Sequence, residues 1–212
     1  MTLEEARRRV LGKYRRVVEN WHKVGVSVHA GYMLGFPFDG PECGRVAAAT
    51  LKKLGFDMVS FFIMTPLPGT EDQVRYAKEG QIFDWDFNNL DSQHVTLRHD
   101  KLDRHTWLEA YKEAFYGFYT VPRLIRLIMT AAGGRGLAAE TRRALLRQWV
   151  YYFFSYRQGR HPMVGGVWQI LRRDVRRNEV ITDEEARRHY LGGLRFDAIL
   201  RGEGDGLVGA PA

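Results

Sequence analysis

Two short apolar runs, 26–34 and 58–64, each stop abruptly at glycine and proline: Gly35-Phe36-Pro37 follows the first, and Thr65-Pro66-Leu67-Pro68-Gly69-Thr70 follows the second. Their valines, aromatics and isoleucine suit both runs to strands, and Gly and Pro end regular structure where they stand. Between them, 41–54 sets Val46, Ala47, Thr50, Leu51 and Leu54 at helical spacing, and Gly55 closes the segment. A strand, a helix and a second strand with short connections make an α/β crossover with parallel strands.

The pattern extends in both directions. Upstream, 3–23 reads as a helix: Thr2 and Glu5 form a capping box, and Leu3, Ala6, Val10, Tyr14, Val17, Val18 and Trp21 follow helix spacing with basic residues between them. Gly25 stops it. Downstream, a helix over about 71–79 ends at Gly80, and 81–100 is irregular, crowded with Trp85, Phe87, Asn88, Asn89 and Asp91. From residue 103 the chain turns helical, with helices expected at about 103–118, 121–132, 138–157, 162–177 and 182–191. The change to helix-rich, arginine-rich sequence near residue 100 divides the chain into an α/β domain (1–100) and a helical extension (101–201). A glycine-rich tail (202–212) is expected to be disordered.

With 45% hydrophobic and 27% charged residues among 212, the chain can bury a core. Its formal charge of +7 favours anionic partners. Cys43 is the only cysteine, which excludes an intrachain disulfide and fits a reducing compartment. One thiolate also cannot hold an iron–sulfur cluster. The first residues are polar and charged, unlike a signal peptide. No apolar run reaches the roughly 18 residues of a membrane-spanning helix. The expectation is a cytoplasmic protein.

The C-terminal ends of parallel strands are where ligands bind in barrels and open α/β sheets. Gly31 and Gly35 withhold side chains there, and Pro66 and Pro68 hold the second loop in a set direction. Together they suit a flat, partly apolar ligand such as an adenine ring. Either loop alone is also ordinary turn punctuation; their placement after consecutive strands is what favours a site.

The run GVSVHAGYMLGFPFDGPE…TLKKLGFDMVSFFIMTPLPGTE…GQIFDWDFNNLD resembles radical S-adenosylmethionine (SAM) enzymes, especially those with an N-terminal cobalamin-binding domain. The resemblance covers roughly residues 10 to 120, and it implies the C-terminal half of a partial (β/α)6 barrel. Gly31, Met33 and Gly35 match that family's Gly-x-Ile-x-Gly motif on the adenine side, with Pro37 after them. Pro66, Leu67, Pro68 and Gly69 match its sixth-strand segment. These eight residues are therefore the expected cofactor-binding set, and no catalytic residue or metal ligand is assigned. Phe38 stands where the motif often carries Glu, with Asp39 one step later. The Cys-x-x-x-Cys-x-x-Cys cluster motif is absent.

The cofactors this resemblance implies are SAM, a [4Fe-4S] cluster whose ligands lie outside this chain and, in the cobalamin type, cobalamin through an upstream domain. The implied role is to contribute adenine-side contacts and part of the substrate cavity. The chemistry would be deoxyadenosyl-radical or methyl transfer on a lipid, tetrapyrrole or natural-product substrate. A chain without the cluster is expected to be inactive by itself, its partner being an upstream half-barrel.

Other groups carry weaker signals. Asp84, Asp86, Asp91 and His94 match no standard metal loop, and such residues are common in turns. His99, His105, His161 and His189 are scattered, and Cys43 reads as a structural thiol. By resemblance, 115–119 and 121–126 fit the family's helical extension. The aromatic cluster Trp149 to Tyr156, flanked by Arg142, Arg143, Arg147, Arg157 and Arg160, leaves three readings open: a buried helix with arginines snorkelling at its ends, a peripheral membrane contact, or a partner groove. Arg172, Arg173, Arg176 and Arg177 form a basic face. A rival to the enzyme is therefore a non-catalytic basic helical module that binds RNA or an acidic partner. No RNA-binding motif is present, so nucleic acid is not the expected ligand.

Overall fold

The computed structural model describes residues 3–86, 89–132 and 137–157. The helices expected at 162–177 and 182–191, the tail at 202–212, the basic face at Arg172 to Arg177, and His161, His189 and Arg160 lie outside the described residues. The element order is α1 (Leu3–Lys23), β1 (His29–Leu34), α2 (Cys43–Leu54), β2 (Met58–Ile63), α3 (Glu71–Lys78), α4 (Arg104–Phe118), α5 (Val121–Ala132) and α6 (Leu137–Arg157). β1 and β2 form a two-stranded sheet, joined by the crossover through α2. Of the described residues, 35–39 and 63–108 make one compact unit and the remainder make the other.

In the larger unit, β1 begins at His29 rather than at Val26. Asp57 explains the late start: its Oδ2 accepts the Val28 N–H at 2.7 Å and meets His22 Nε2 at 2.8 Å. A side chain therefore occupies the backbone there in place of a ladder. α2 ends on Gly55 in the left-handed conformation, whose N–H reaches the last-turn carbonyls.

The outward edge of β2 is closed by a side chain. Tyr119 donates its hydroxyl to the Val59 carbonyl at 2.7 Å and accepts the Val59 N–H at 3.0 Å. Phe61 packs edge-on against Phe115 at 4.9 Å, and Tyr119, Trp149 and Phe118 continue the buried aromatic layer. α2 meets α4 through small residues. A Cβ on Gly44 would fall onto the Ala110 carbonyl, and one on Gly117 would press on Ala48. This backbone approach requires glycine.

The aromatic cluster of α6 turns into this core. Trp149, Phe153 and Tyr156 are buried, while Arg157 lies over the Phe153 ring and donates to its carbonyl. The buried-helix reading with a snorkelling arginine describes these residues; Phe154 remains exposed. α1 behaves differently from its pattern. Val18 is buried, but Val10, Tyr14, Val17 and Trp21 are exposed, because a sheet of two strands leaves nothing for that stripe to cover.

In the smaller unit, Thr70 caps α3 by accepting the Gln73 N–H, and Gln73 returns its own carbonyl oxygen to the Gly69 N–H. The segment expected to be irregular holds an antiparallel bridge between Ile82 and Leu97, extended by Arg98 N–H to Gln81 and Phe83 N–H to Thr96. Met64, Tyr76, Ile82, Trp85, Val95, Leu97, Leu102 and Trp107 form its core.

Candidate functional site

In the smaller unit the loop after β1 is organised by Asp39. Its buried carboxylate accepts the N–H groups of Gly35 at 2.8 Å and Phe36 at 3.0 Å, and its own N–H returns to the Phe36 carbonyl. This carboxylate serves the backbone. Gly35 has φ of +109°, and a Cβ there would fall inside the Trp107 indole. The close approach that Gly35 permits is thus made by Trp107. Gly35, Pro37, Met64, Tyr76, His99 and Trp107 line a cavity of about 40 Å³, which is water-sized and far below a nucleobase site.

The 65–70 loop belongs to the same unit. Thr65 donates to the Ile63 carbonyl, Thr70 donates to the Leu67 carbonyl, and Gly69 stands at φ of +80°. Pro66 is buried, whereas Leu67, Pro68 and Gly69 are exposed, Leu67 by 51%. Here the backbone is held internally and the apolar side chain is offered outward. Met64 accepts the Tyr76 hydroxyl at its sulfur, 3.1 Å away. Of the eight expected residues, Gly35 and Pro37 share a cavity, while Leu67, Pro68 and Gly69 form an exposed lip of the same unit, anchored by buried Pro66.

Gly31 and Met33 belong to the larger unit, on the exposed alternation of β1 that also carries His29. Met33 is 42% exposed, and a Cβ on Gly31 would touch only Phe62. Along that face His29 Nε2 lies 2.9 Å from Ser60 Oγ, which lies 3.0 Å from the Tyr152 hydroxyl. Partial desolvation lowers the His29 imidazole below its ordinary value, which favours the neutral ring in this chain of hydrogen bonds. This chain of three was not among the expected residues. Strand alternation placed His29 on the face of Gly31 and Met33, but nothing local announced Ser60 or Tyr152, whose position in the sequence lies 92 residues from Ser60.

The acidic segment is scaffolding. Asp84 accepts the Asp86 N–H and the Asn89 side chain, and Asp91 accepts Gln93 and His94. Among the described residues no group of three His, Cys, Asp or Glu is placed to hold a metal ion. Cys43 is buried at the start of α2. No helix of the described residues is long and apolar enough to cross a membrane.

The larger unit thus pairs two parallel strands, joined through α2, with a buried aromatic helical layer. No protein-family model matches the chain, and no solved structure does. It is similar to bacteriochlorophyllide d C-8(2)-methyltransferase of Chlorobaculum tepidum, with 24% identity over 139 residues, covering 60% of this chain and 31% of that protein. The chain therefore spans less than a third of that relative's length.

Proposed function

We propose that this chain is the C-terminal part of a radical SAM methyltransferase, with residues 66–69 supplying contacts to the adenine side of SAM. The similarity to a methyltransferase carries the reading. A tetrapyrrole heads the substrate classes, ahead of lipids and natural products, because the relative's name places it on a bacteriochlorophyllide. Bound SAM supplies the transferable group. This chain's own part is to offer Leu67 to a flat ring and to hold the 65–70 loop rigid through Pro66, Pro68 and the Gly69–Gln73 hydrogen bond. Gly35 contributes by seating Trp107.

The iron–sulfur cluster does not fit these residues. Cys43 is the chain's one cysteine and it is buried, so no step through a cluster is assigned to this chain. Cluster ligands would belong to a partner half-barrel, and cobalamin to an upstream domain. The surface of the larger unit supports such a partner: β2 is closed by Tyr119, whereas no strand of the described residues lies beyond β1. Beside it runs a groove of about 270 Å³ lined by Leu11, Tyr14, Gly31, Tyr32, Val46 and Leu51. Parallel sheets are normally covered and extended on both sides.

Saturation-transfer NMR of the full chain with SAM tests the adenine assignment. The adenine protons are expected to receive saturation, and Leu67→Asp, at an exposed position, is expected to reduce it. Undiminished transfer in this variant removes the assignment. No transfer in the wild type removes the reading that this chain holds the adenine side.

A further inference from the structure

Helix α5 is the most clearly two-sided element of the fold. Val121, Ile125, Ile128 and Met129 are exposed by 49%, 51%, 46% and 70%, and at 100° per residue they share an arc of about 100°. On the opposite side Ala131 is buried where α5 and α6 pack. Isolated exposed apolar residues are ordinary, but four on one stripe of a twelve-residue helix are not.

The ionisable residues of α5 are Arg123 and Arg126, and the helix carries no acid. Arg123 is committed inward, donating to the Phe118 and Phe56 carbonyls and lying over the Phe118 ring. Arg126 is exposed, borders the stripe beside Met129, and forms no ion pair among the described residues. A second copy would bring Arg126 against its own image, in a chain of formal charge +7. An apolar stripe edged by a cation matches an anionic bilayer, where aliphatic chains and acidic headgroups lie at adjacent depths.

We propose that α5 is a peripheral membrane contact, lying in the plane of an anionic lipid surface with Val121, Ile125, Ile128 and Met129 in the acyl boundary and Arg126 among the headgroups. The contact lies on α5 and not on the aromatic cluster of α6, whose rings the core already uses. It stands independently of the SAM reading.

Flotation of the full chain with two kinds of vesicle tests this: phosphatidylcholine alone, and phosphatidylcholine with about 30% phosphatidylglycerol. Binding is expected to the anionic vesicles and to weaken with salt. Ile125→Asn with Ile128→Asn should lower partitioning roughly thirtyfold, because two half-exposed isoleucines lose their burial. Arg126→Gln should lower it about fivefold. Both changes are at exposed positions, and circular dichroism checks that the fold persists. Failure to float with either vesicle overturns the proposal, as does flotation that survives the double substitution. A wild-type dimer by light scattering that the double substitution converts to monomer also overturns it, since the stripe would then be covered by a second copy.

Discussion

Replacing Tyr119 with Phe isolates the hydroxyl that seals the outer edge of β2. The ring, packed against Phe115 and Trp149, stays. Both hydrogen bonds to Val59, at 2.7 and 3.0 Å, are lost. Each such bond contributes about 1 kcal/mol net, and a buried donor or acceptor left unpaired costs a further 1–3 kcal/mol, roughly. Val59 is fully buried, so water cannot replace the hydroxyl without rearrangement. The expected loss is about 2–5 kcal/mol, a large share of the roughly 5–15 kcal/mol that holds a typical domain together. Urea unfolding followed by tryptophan fluorescence reads this as a lower midpoint at unchanged slope. Exchange of the Val59 amide proton should accelerate in the variant. Burial also pushes the Tyr119 hydroxyl above its ordinary value of 10. Wild-type stability is therefore fully present below pH 10 and falls as the unfolded chain ionises above it; the Phe variant lacks that component. A loss below about 0.5 kcal/mol, with Val59 exchange unchanged, would falsify the edge-sealing argument.

Three other perturbations follow from the same packing. Gly44→Ala drives a methyl onto the Ala110 carbonyl and should destabilise by about 3 kcal/mol in urea unfolding, whereas a neutral result would mean α2 and α4 are not in backbone contact. Gly35→Ala must displace Trp107 and leave the φ of +109°, so tryptophan emission should shift red along with a loss of about 2 kcal/mol; unchanged emission counts against the seat. Burial holds the His29 imidazole below 6.5, so the unfolded chain takes the proton first. Its contribution is complete above pH 6.5 and fades as the pH falls toward the folded value; His29→Asn should flatten that slope, and parallel curves would argue against a partly desolvated imidazole.

Much of the architecture is legible locally. The local pattern locates α2, α3 and α5 within a residue or two, and Gly55 ends α2, because these signals depend only on neighbours in the chain. The candidate site is less legible. Glycine at position 35 predicts a close approach but cannot name what approaches; Trp107 arrives from far along the chain and packs against it. Asp39 reads as a displaced motif carboxylate, yet it binds the Gly35 and Phe36 backbone.

By itself the sequence determined two strands, the helix between them, and glycine–proline loops at both strand ends, since propensity and turn chemistry act over a few residues. Tertiary structure alone decided that Tyr119 closes β2, that Ser60 and Tyr152 join His29, that the aromatic stripe of α6 is core, and that the stripe of α5 faces solvent. An amphipathic helix has one apolar stripe in any sequence reading. Whether that stripe is covered depends on which elements reach it, and long-range packing settles that.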